Sequence, residues 1–122
     1  MLMGFRITGD FGATVKACEA VDICLGKVFK EVLAHSGTLI VTADHGNCEE
    51  MINIKTGEPH TEHTNNPVPF ILVGQQFKNL ANMSQFLRPN GILADVSPTI
   101  LDLMDVSRPA DMTGTSMIFN NK

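Results

Sequence analysis

An α/β chain with a mostly parallel sheet flanked by helices is the fold class the sequence predicts, on three observations. Apolar residues recur at helical spacing over residues 10 to 34. Two short β-branched and apolar runs follow, at 38 to 42 and 70 to 73, and a second helical stripe occupies 95 to 104.

In the first helix the stripe is Cys18, Val21, Leu25, Val28, Phe29 and Val32, with Asp10 near its start and Gly37 beyond its end. Such a helix is expected to cover one face of a sheet. The run Thr38-Leu39-Ile40-Val41-Thr42 is the pattern of a strand buried on both faces, and it sets Asp44 at its C-terminal end, where open α/β sheets place ligands. Lys55-Thr56-Gly57-Glu58-Pro59 reads as a turn, and a loop over 60 to 67 leads to the second buried strand, ended by Gly74. Residues 75 to 90 are polar and irregular, with room for one short strand. In the last helix Asp95 can cap, Pro98 fits the first turn, and Val96, Ile100, Leu103 and Met104 form the stripe. Asp95 and Asp102 therefore read as a cap and a solvated face rather than as catalytic groups. Residues 108 to 121 form a tail with a fraying end. Without a repeat, low-complexity tract or linker, residues 1–122 are expected to form a single domain.

Composition narrows the function classes. The 43% apolar share over 122 residues is an ordinary globular value, sufficient for one modest core. A net charge of −4 with nine scattered Lys and Arg argues against nucleic acid as a partner. No apolar run reaches the ~20 residues that cross a bilayer, nor is there a signal-like block at the N-terminus, so no membrane partner and a cytoplasmic location are expected. Cys18, Cys24 and Cys48 are odd in number and lack metal-ligand spacing, which favours buried or half-buried free thiols over a disulfide or zinc site.

Chemistry concentrates in two runs, Thr42-Ala43-Asp44-His45-Gly46-Asn47 and His60-Thr61-Glu62-His63-Thr64-Asn65-Asn66-Pro67-Val68-Pro69. Carboxylate oxygen with imidazole nitrogen is ligand chemistry for a divalent cation such as Mn, Zn or Fe. The plainer reading of Asp-His-Gly-Asn alone is a tight turn after a strand, and His35 reads as a helix-end dipole partner or a solvent-facing side chain rather than a ligand, a reading that extends to His60. Asp44, His45 and His63 rise above that reading through their combination: a strand end, a polar loop, and prolines that stiffen it.

The same runs carry a resemblance. With Ala13-Thr14-Val15-Lys16-Ala17-Cys18-Glu19-Ala20-Val21-Asp22, Leu93-Ala94-Asp95-Val96-Ser97-Pro98-Thr99-Ile100-Leu101-Asp102-Leu103-Met104 and residues 109 to 116, they make five runs in order. The chain from Thr8 to Ile118 resembles the C-terminal part of the cofactor-independent (2,3-bisphosphoglycerate-independent) phosphoglycerate mutases of the alkaline phosphatase superfamily. The resemblance implies a partial alkaline-phosphatase-like three-layer sandwich, a C-terminal fragment of a metalloenzyme domain. It also implies two manganese ions, a phosphoserine intermediate, and exchange of 3- and 2-phosphoglycerate in glycolysis. By motif, Asp44 and His45 match ligands of the ion that also holds the nucleophilic Ser, and His63 matches a ligand of the other.

Departures from the family pattern are equally specific. The family's Asp-x-x-Gly-His-Thr-Gly run supplies an Asp and a His to the second ion. Anchored on Thr8-Gly9 those positions fall on Met3 and Ile7; anchored on Gly4 they fall on Met1 and Phe5. None of Ser36, Ser84, Ser97, Ser107 and Ser116 matches the nucleophile, and no Arg/Lys cluster is available for phosphoglycerate. Three readings follow: a mutase fragment inactive alone, a subunit complemented by a separate N-terminal half, and a non-catalytic module or metal phosphatase of the same superfamily. A sheet cut from a larger one is also expected to self-associate.

Overall fold

The computed structural model describes residues 10–78 and 86–119. Met1, Met3, Phe5 and Ile7 fall outside them. The chain divides into two compact units, Met1–Phe77 and Lys78–Lys122.

The first unit opens with α1, Phe11–Ala34. Asp10 caps it as its position suggested: its carboxylate accepts the Ala13 N–H at 3.1 Å, and its carbonyl accepts the Thr14 hydroxyl at 3.0 Å. At the other end Ser36 turns through φ 55°, and the Gly37 N–H closes onto the Val32 carbonyl at 2.8 Å. His35 is the helix-end partner expected of it, its Nδ1 bonding the Glu31 carbonyl at 2.8 Å.

α1 leads into β1, Thr38–Val41, against which it packs, and β1 pairs with β2, Ile71–Gly74. The two segments are neighbouring strands as expected, but they run antiparallel, with Thr38 opposite Gly74 and Val41 opposite Ile71. A parallel pair needs a crossover connection, usually a helix. No helix forms between Val41 and Ile71, and the chain returns directly. The strands are also less covered than their apolar runs implied. Leu72 is buried, while β1 and the rest of β2 are half-buried or exposed, since α1 packs on β1 and the described sheet has only two strands.

The connection over 42–70 continues the antiparallel course. A bridge pairs Gly46 with Thr64, and a second pairs Ile52 with Pro59. The tip is an Asx turn: Asn53 Oδ1 accepts the N–H groups of Lys55 and Thr56, and Gly57 supplies the left-handed φ of 73° that brings its N–H to the Asn53 carbonyl. The whole segment is one long hairpin with β1 and β2 at its base. Cys18, Cys24 and Cys48 are free thiols, as read, but exposed rather than buried.

The second unit is organised around Asp95. A 3₁₀ turn, Leu93–Asp95, runs into α2, Val96–Leu103. Asp95 does not cap α2 through its side chain. Its buried carboxylate instead accepts the Ile92 N–H at 3.0 Å and the Thr115 N–H at 2.8 Å, and faces Arg88 at 3.7 Å. The Thr115 N–H leads, followed by that of Ile92, in holding this carboxyl below its ordinary range. Thr99 is wholly buried; its hydroxyl donates to the Asp95 carbonyl at 2.6 Å and accepts the Met117 N–H at 2.8 Å. Asp102 likewise has a structural partner, the Ser116 hydroxyl at 2.8 Å. The tail is folded back on residues 86–88, with Leu87 bridged to Ile118.

Candidate metal centre

The hairpin places the three candidate ligands on its two arms. Asp44 and His45 stand three and four residues beyond the end of β1, and His63 precedes Thr64 on the returning arm. The Thr64 N–H reaches the Gly46 carbonyl at 2.9 Å, holding the arms together. Gly46 is required at this crossing, because a Cβ there would overlap Thr64 Oγ1 and Glu49 Oε1.

His45 and His63 meet ring to ring, with centroids 3.8 Å apart and planes inclined by 34°. Asp44 Oδ1 lies 3.6 Å from His45 Nε2. The other His45 nitrogen, Nδ1, is 3.0 Å from the Gly46 carbonyl, which can only accept. A proton on Nδ1 would let it donate to that carbonyl and leave the Nε2 lone pair on the Asp44 side, the tautomer suited to a cation. On His63 the nitrogen in contact is again Nδ1, 3.3 Å from Asn47 Nδ2.

Glu49 is the charged group behind these ligands. Its Oε2 accepts the Asn47 N–H at 2.6 Å, and its Oε1 accepts the Thr64 hydroxyl and the Asn66 amide, the latter at 3.2 Å. The Thr64 hydroxyl is the main cause that brings the Glu49 carboxyl down to about 2. Partial burial, and then the neighbouring Cys18 and Glu49, raise the Cys48 thiol above its ordinary range. His60 lies apart from the other ligand candidates in its bonding, with Nδ1 on the Glu50 carbonyl at 3.2 Å.

The donor set fits part of a cation site. A hard carboxylate and two imidazoles are on adjacent arms, yet among the described residues no group of three or more His, Cys, Asp or Glu is placed to hold an ion. Asn47, Glu49 and Thr64 were not singled out from the sequence. Asn47 and Thr64 lie inside the two ligand runs without the chemistry of a ligand, and Glu49 lies two residues beyond the first.

The metalloenzyme superfamily matches residues 7–108 of this chain. The 2,3-bisphosphoglycerate-independent phosphoglycerate mutase of Clostridium botulinum (strain Langeland) is 51% identical over 111 residues, and that of Herpetosiphon aurantiacus 53% identical over 111. In both, the match takes in 91% of this chain and 20% of the relative, so the chain spans about one fifth of their length. A crystal structure of Leishmania mexicana phosphoglycerate mutase, determined at low cobalt concentration, is 33% identical with a TM-score of 0.74, over 92% of this chain and 22% of that one. These likenesses show the expected α/β fold of the alkaline phosphatase type, carried here as a small sheet with helices. A match over most of its residues, with ligand chemistry on the paired arms of one hairpin, means that the chain belongs to the metalloenzyme superfamily.

Proposed function

We propose that the chain is the C-terminal portion of a manganese-dependent phosphoglycerate mutase that interconverts 3- and 2-phosphoglycerate in glycolysis, in the cytoplasm, and that it is inactive alone. The observation that carries this reading is the hairpin itself, with Asp44 and His45 on one arm and His63 on the other, in a chain half identical to such mutases. Bound manganese would supply Lewis-acid stabilisation of the oxygens that exchange the phosphoryl group. The chain's own residues orient the donors. The Gly46 carbonyl contacts His45 Nδ1, Asn47 addresses His63, and the Thr64 N–H closes the arms.

Residues 1–122 are read as one part of a larger metalloenzyme domain, completed by an N-terminal half that brings the serine, the remaining ligands and the phosphoglycerate-binding residues. Removing groups that act as a unit leaves no partial activity to observe. In a coupled assay the chain alone should give background turnover. Mixed with the complementary N-terminal segment of the Clostridium botulinum relative, it should give turnover that Asp44→Ala or His63→Ala abolishes. Turnover by the chain alone that either substitution removes would overturn the inactive-fragment reading.

A further inference from the structure

We propose that Glu49 is a positioning residue that clasps the two ligand-bearing arms, an inference that rests on reading Asp44, His45 and His63 as metal ligands. One carboxylate joins three donors from both sides of the hairpin. The Asn47 N–H lies two residues from His45, the Thr64 hydroxyl is adjacent to His63, and the Asn66 amide lies just beyond. Asn66 also donates to Glu50 Oε1 at 2.9 Å, so the returning arm is held at two points by the outgoing one. Besides the clasp, the hydrogen bonds tying the arms beside the ligands are the Thr64 N–H to the Gly46 carbonyl at 2.9 Å and two long ones from Asn47 Nδ2, to the Glu62 carbonyl at 3.5 Å and His63 Nδ1 at 3.3 Å. Hydrogen bonds to an ionised acceptor are the stronger kind. The close, tilted setting of His45 against His63 therefore depends on Glu49, although Glu49 touches neither ring.

Glutamine tests this sharply, because it keeps the shape of Glu49 while replacing one acceptor oxygen with an NH₂ that must face a donor. The labelled 122-residue chain is studied by NMR, with Mn²⁺ alone as the probe. In the parent, ring protons of His45 and His63 should show mutual Overhauser effects, and the Thr64 amide should be protected from exchange. Glu49→Gln should abolish the ring-to-ring effects and reduce Thr64 protection by about tenfold or more, the loss of one hydrogen bond to a charged group, while circular dichroism shows α1 intact. Thr64→Val should act in the same direction, and the double variant should be no worse than Glu49→Gln alone, because the bond that Thr64→Val removes is one that Glu49→Gln has already lost. Mn²⁺ should broaden His45 and His63 at lower concentration in the parent than in Glu49→Gln. Ring contacts and Thr64 protection that survive Glu49→Gln, or additive losses in the double variant, would overturn the proposal. Ring contacts that need Glu49 in a chain whose histidines Mn²⁺ never broadens would support the clasp and instead refute the metal reading.

Discussion

The imidazoles of His45 and His63 meet at 3.8 Å although 18 positions separate them, because Thr64 bridges to Gly46 in the residues next to them. With Asp44 beside them their nitrogens make a donor set that is short of a full cation shell. Tight sites require all ligands and supporting partners in place. The isolated chain should bind Mn²⁺ weakly, by the paramagnetic resonance signal of the free ion, and Asp44→Ala, His45→Ala or His63→Ala should weaken it further. Tight binding of two ions would show that the missing ligand positions had been misassigned.

Thr99 offers a test of the second unit. Its buried hydroxyl serves both the Asp95 carbonyl and the Met117 N–H. Thr99→Val keeps the volume but strands the Met117 N–H, at a cost of about 1–3 kcal/mol. Urea denaturation should show that loss, and Thr99→Ser should recover most of it.

Acid should loosen the hairpin before it melts α1. The Glu49 carboxyl sits at about 2 in the fold against an ordinary value of 4.5. A depressed carboxyl contributes stability that is complete above its unfolded value and is lost as pH falls through the folded one. The Thr64 and Asn66 resonances should therefore shift between about pH 4.5 and 2, and Glu49→Gln should remove that titration. A Thr64 shift centred near pH 4.5 would contradict it.

The apolar stripe of α1 is incompletely covered. Val21 is 59% exposed, Val28 48% and Phe29 40%. Together with a two-stranded sheet, this predicts concentration-dependent self-association. Sedimentation velocity should show it at high concentration, and Val21→Glu should diminish it. A clean monomer at millimolar concentration would count against the prediction.

The helices were legible because their signals are local: a periodic stripe, Asp10 before it and Gly37 after it. Strand direction was not. A continuous apolar run such as Leu39, Ile40 and Val41 says that a segment is extended without saying which way its neighbour runs. The readable sign was the lack of any helical stripe between Val41 and Ile71, where a parallel crossover would need one. Asp44, His45 and His63 could be picked out by residue type and motif. Glu49 could not, since an acidic residue in a polar loop is ordinary, and its role comes from Thr64 and Asn66, which lie 15 and 17 positions away. Asp95 misled for a related reason: its position suits a cap, while its carboxylate is claimed by Thr115, 20 residues on.

Because Val41 and Ile71 face each other across the sheet, the segment between them leaves and re-enters the fold at one place. It behaves as a cassette with a closed base, and its distal turn around Lys55 and Thr56 is exposed and far along the chain from Gly46 and Thr64. Lengthening a loop whose ends are already fixed costs only about 0.6 kcal/mol per doubling. The outer turn can therefore vary in length among natural or engineered versions of this chain while the pairing that sets His45 against His63 keeps its register.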